Sequence, residues 1–224
     1  MRKNLLNTSL LFSSLTMALV ACKKDDPAPV IVPTIVKEWT IPLAAKNENN
    51  PTFGRTETGT ATVKLLSDNS LSFTIAVVGL ASGDALNAAH IHVGDVISNG
   101  GVILGLNPTF TGSNASGTIT NVRTTLIDSL KDDMNELCFN VHSTQVPSGL
   151  VRGQLNTIIE MAEFITLSGA NEVPAVTTTA TGTALIRVTS AKKIYTRVII
   201  TNLEPCDAMT AAIFIKLLLV QMVV

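Results

Sequence analysis

The chain has 224 residues, 46% of them hydrophobic and 15% charged, with a formal net charge of −1. Without a basic block, nothing in this balance points to nucleic acid or to an acidic membrane surface as a partner. Three cysteines cannot make a disulfide framework, so a packed core must carry the fold.

Arg2 and Lys3 form a positive start, and residues 10–20 form a short apolar run. That is a secretory signal pattern, too short for a membrane span. The closing Leu19-Val20-Ala21-Cys22 resembles the lipobox of bacterial lipoproteins, which implies a signal peptide over residues 1–21 and a lipid on Cys22. Residues 22–37 then read as a tether, with Lys23-Lys24-Asp25-Asp26 followed by Pro27, Pro29 and Pro33. The implied location is the cell envelope, anchored in the outer membrane on its periplasmic or surface face. Several acyl chains, at roughly 0.8 kcal/mol per buried methylene, would hold it there.

Strand patterns follow. Leu71, Phe73, Ile75 and Val77 alternate with small or polar residues, the period of a half-buried strand, and residues 60–66 do likewise. Ser67-Asp68-Asn69-Ser70 joins them as a hairpin turn. Further strands are predicted at 39–43, 88–93, 102–106, 115–121, 137–142 and 150–155, and residues 125–135 carry a short helical stripe. Many short strands with regular turns predict an all-β antiparallel sandwich.

The pattern then recurs. Thr58-Gly59-Thr60-Ala61 is repeated as Thr181-Gly182-Thr183-Ala184, and Ala88-Ala89 as Ala211-Ala212, both at an offset of 123 (182 − 59 and 211 − 88). Strands are accordingly predicted at 164–167, 183–189 and 195–200, with residues 160–163 as the junction. The second copy has Ile213 where the first has His90, and then stops. One missing base before Ile213 would let the permitted codons read His-Ile-His again, so residues 213–224 are read as out of frame. A second module cut short would leave open strand edges and an apolar tail, both prone to aggregation.

Ala88-Ala89-His90-Ile91-His92, Asn140-Val141-His142 and the run from Pro147 to Gly153 resemble the CHRD domain, named for the secreted protein chordin. The resemblance implies a first CHRD domain over 38–157 and a truncated second over 163–224. It also implies an immunoglobulin-like or superoxide-dismutase-like β-sandwich without a settled activity, and a protein or peptide ligand by association with chordin. Gly149, Arg152 and Gly153 fit the family's Gly-Glu-Ile/Leu-Arg-Gly motif. Leu150 stands where Glu is usual, so Arg152 must find another acceptor.

His90, His92 and His142 are the only histidines. Residues i and i+2 of a strand share a face about 6–7 Å apart, so His90 and His92 with a third imidazole could share copper or zinc. The superoxide dismutase resemblance points the same way, and Asp95 could add an oxygen. The alternative is that the imidazoles serve backbone carbonyls at a sheet edge. Arg152 has two readings as well, a clamp for a ligand carboxylate or a partner for strand-end carbonyls. Cys138, in Leu137-Cys138-Phe139, reads as a small core residue. Ser129, Ser143 and Ser148 lack a nucleophile elbow, so no catalytic residue is assigned.

Overall fold

Among the described residues eleven strands and one α-helix follow each other, and alternation of side chains decides which face of each strand is buried. The computed structural model describes residues 32–50, 52 and 54–213. All but Val32 of these belong to one compact unit, Pro33–Val224. Cys22, most of the tether and residues 214–224 lie outside the described residues. No helix among the described residues is long and apolar enough to cross a membrane.

The strands are β1 (Ile35–Ala44), β2 (Thr58–Leu66), β3 (Leu71–Val78), β4 (Leu86–Val93), β5 (Val102–Gly105) and β6 (Asn114–Ile119). After α1 (Thr124–Lys131) come β7 (Leu137–Ser143), β8 (Val151–Gln154), β9 (Ile159–Ser168), β10 (Thr181–Thr189) and β11 (Ile194–Thr201). The first eight form one curled antiparallel sheet in the order β5-β4-β7-β8-β1-β2-β3-β6. Its halves meet where Ala44 of β1 pairs Arg152 of β8, and there they fold over one another as an all-β sandwich. Gly153 makes that crossing possible. A Cβ there would run into the Pro42 carbonyl and lie 2.6 Å from Ile41 Cγ2.

The core lies between the halves. Trp39, Ile41 and Leu43 of β1, Val63 of β2, and Phe73, Ile75 and Val77 of β3 meet Ala89 and Ile91 of β4 and Phe139 and Val141 of β7. Each large side chain so buried contributes about 1.5–3 kcal/mol. Helix α1 adds Leu126, Ile127 and Leu130 to this core. Its eight residues are the short helix that the stripe within 125–135 predicts, and it ends at Lys131 because Asp132 leaves helical geometry. The ammonium of Lys37 meets the open carbonyls of Leu130 (3.0 Å) and Lys131 (3.2 Å) at that end. Met134, read as part of the stripe, is exposed.

A second sheet holds β11-β10-β9. Its register matches that of β1–β3: Ile41 faces Ala61 in the first, and Ile165 faces Ala184 in the second. Residues 160–163, read as a junction, lie inside β9, because strand pairing with β10 extends back to Ile159. The two sheets turn different faces inward. Thr62 and Lys64 lie on the outer, half-exposed face of β2, whereas Leu185 and Arg187, 123 residues on, are buried. Arg187 donates to the Glu48 carbonyl (2.9 Å) and Arg197 to the Asn49 carbonyl (2.9 Å), fastening the second sheet to the 3₁₀ turn Ala45–Asn47 and the residues after it. The opposite face of the second sheet is apolar and open, with a cavity of about 700 Å³ between Ile165, Ile186, Val198, Ile200 and the segment leading to Ile213.

Candidate metal centre

Ala89 and Ile91 point into the core, so the residues between and after them, His90 and His92, must point away from it. On β7 the same alternation sends Phe139 and Val141 inward and Cys138, Asn140 and His142 outward. Pairing of β4 with β7 sets Ala88 opposite His142 and His90 opposite Asn140, which makes His142 a diagonal neighbour of His90. The three imidazoles therefore gather on the outer face of the sheet, half-buried, each with a ligating atom within 4.8 Å of the others.

Hydrogen bonds orient the rings. His92 Nδ1 lies 3.1 Å from the Gly100 carbonyl, and His142 Nδ1 lies 3.0 Å from that of Pro147. A carbonyl only accepts, so both Nδ1 atoms carry the proton and both Nε2 atoms present lone pairs. His90 Nδ1 is 3.0 Å from His142 Nε2 and donates to it in the absence of an ion. The Nε2 of His92 is buried without any partner. Burial, and then repulsion from neighbouring imidazoles, holds His90 below the usual histidine range; burial does the same for His142, against the Pro147 hydrogen bond. A lowered pKa favours the neutral imidazole, the form that binds metals.

These features fit a transition metal. Two nitrogens 3.0 Å apart, each about 2.0–2.1 Å from one ion, subtend an angle of roughly 90–100°. Ligands of one ion lie at most about 4.2 Å apart, so small side-chain shifts close the cluster. Nitrogen donors suit copper and zinc, with copper(II) held more tightly in the general order of affinity. Donation of the far ring nitrogen to a backbone carbonyl is the usual support for a histidine ligand.

Other residues singled out in the sequence fall elsewhere. Asp95 is not in the ligating group, since its carboxylate accepts from the Ile97 amide at 2.9 Å. Cys138 is buried, as its small apolar setting predicts, but on the histidine side of β7 and apart from the main cluster, and burial pushes its thiol up to about 11. Arg152 is 1% exposed and gives its guanidinium to the carbonyls of Asp95 (2.6 Å) and Ser98 (2.8 Å) and to Asn99 Oδ1 (2.6 Å). These bonds are those of a partner for backbone carbonyls, one of its two readings. Glu48 is buried beside these groups, accepting from Asn140 Nδ2 at 3.3 Å.

The model of the CHRD domain matches residues 39–155, slightly more than half of the chain. The chain belongs to the CHRD family. No curated protein and no solved structure matches it. Within this CHRD domain, the glycines of the Gly149–Gly153 motif act through close approach. A Cβ on Gly149 would lie 2.7 Å from Asn140 Nδ2 and 2.9 Å from Glu48 Oε2. Leu150, where the family usually has Glu, is 1% exposed and belongs to the core. The arginine is left to bind the loop after β4.

Proposed function

We propose that this chain is a cell-envelope lipoprotein, anchored through Cys22, that displays a CHRD module as a binding element for a divalent transition metal. The ligands are His90 through Nδ1 and His92 and His142 through Nε2, and copper(II) is preferred over zinc(II). The carrying observation is the buried, partnerless Nε2 of His92 beside two further imidazole nitrogens. A buried acceptor left unpaired costs about 1–3 kcal/mol, and an ion removes that cost. The role is binding; no residue is assigned to catalysis.

The incomplete second copy belongs to the same reading. Its matching register and repeated residues support reading β9–β11 as the opening half of another CHRD module, one without histidines of its own. Metal analysis of the purified full chain after reconstitution tests the binding role. One equivalent of copper or zinc is expected, with loss of affinity on the order of a hundredfold or more in His92→Ala and His142→Ala. A wild-type chain that retains only traces of either metal would refute it.

A further inference from the structure

The loop from Gly94 to Gly101 links β4 to β5 and carries the carbonyl that orients His92. Its own ends are tied to β4, since the Val93 amide donates to the Gly101 carbonyl at 3.1 Å. A Cβ on Gly100 would run into the Val93 carbonyl, so the loop returns against the strand only because that position is glycine. Near its start the loop is held by buried Val96 and by the Gly94 amide, which donates to the Glu136 carbonyl at 2.8 Å; beyond these Asp95 and Ser98 make a local turn, and Ser98, Asn99 and Gly100 are exposed.

Further anchors come from β8. Arg152 holds the carbonyls of Asp95 and Ser98 and the side chain of Asn99, and Gln154 Nε2 donates to the Gly94 carbonyl at 3.0 Å. Three hydrogen bonds from one planar cation fix three points of the loop at once, which a lysine ammonium cannot reproduce. Asn99 Oδ1 also accepts from Asn49 Nδ2 at 2.8 Å, so the loop is held from a second side. The carbonyl of Gly100 is one residue beyond Asn99.

We infer that Arg152 is a positioning residue for the metal centre: by pinning residues 95–99 it holds the Gly100 carbonyl that keeps the proton of His92 on Nδ1 and leaves Nε2 for the ion. The inference rests on the metal-binding reading for its consequence, but not for its first step. The tautomer of His92 is set in the ion-free protein.

Two readouts separate the steps. Nitrogen-15 NMR of the ion-free full chain reports which nitrogen of His92 carries the proton, and calorimetry with zinc alone as the probe reports affinity. Arg152→Lys is expected to mix the His92 tautomers and weaken zinc binding about 10–100-fold. Because Arg152 is buried and its replacement can unfold the domain, Asn99→Ala is the second variant. It removes an exposed acceptor, and should mix the tautomers and weaken zinc about tenfold. Asn99→Asp keeps the acceptor and should restore both. A folded Asn99→Ala or Arg152→Lys protein with His92 still protonated on Nδ1 and wild-type zinc affinity would overturn the inference. If the wild type binds no zinc, the metal reading fails, while the tautomer shift still decides whether Arg152 positions His92.

Discussion

Glu48 makes the sharpest stability prediction. Its carboxyl is 5% exposed, and burial pushes its pKa from 4.5 up to about 7, against the opposing charges of Arg152 and Arg187 and the Asn140 hydrogen bond. Oε1 has no partner at all. A carboxyl whose folded pKa is raised binds its proton more tightly when folded. Its contribution is therefore fully present below about pH 4.5, declines as pH rises, and is lost above about pH 7. A shift of about 2.5 units at 1.36 kcal/mol each gives a loss of about 3 kcal/mol. Glu48→Gln keeps the shape and removes the titration. Denaturant unfolding of both proteins from about pH 4 to about pH 8 should show the wild type losing about 3 kcal/mol relative to E48Q. A difference that stays flat, or a wild type that gains on E48Q as pH rises, would mean that Glu48 is ionised and held by the two arginines, and the reasoning would be wrong.

Three further outcomes follow from packing and exposure. Gly153→Ala should cost about 3 kcal/mol or more in denaturant unfolding, because the added methyl meets backbone at the β1–β8 crossing; a cost below about 1 kcal/mol would show that the crossing can relax. Ile165→Lys combined with Ile200→Lys, on the open face of the second sheet, should reduce aggregation in light scattering while changing stability by no more than about 1 kcal/mol. In a thiol-labelling time course read by peptide mass spectrometry, exposed Cys206 should react well before Cys138, whose thiol is buried and pushed up to about 11; equal rates would contradict the burial.

Much of this was legible because period-2 alternation is a local signal. Residues 60–66 and 71–77 announced β2 and β3, and Ala-His-Ile-His announced that both histidines leave β4 on one side. The spacing of His90 and His92 fixed their common face, but His142 was joined to them as the remaining histidine and by the superoxide dismutase resemblance, since pairing partners are set by the whole sheet. Cys138 shows the limit most plainly. Its apolar neighbours rightly suggested burial, yet alternation along β7 puts it on the histidine side, apart from the cluster between the halves. Glu48 gave no sign at all, because a Glu after a strand is ordinarily solvated, and only the return of β8 and the second sheet encloses it.

The second sheet shows how three strands can remain folded beside a larger sheet. A three-stranded sheet with one apolar face needs something to cover it. Here the cover is applied to the opposite face, where Ala162, Leu185 and Arg187 are buried at positions that are polar or half-exposed in β1 and β2. The two arginine bonds to the carbonyls of Glu48 and Asn49 then tie this sheet to the segment that also holds Asn99 through Asn49. The sheet thus bears on the loop beside His92 from behind, through Asn49 and Asn99, while Arg152 bears on it from β8. The face left open is the one that, in β1–β3, makes the core.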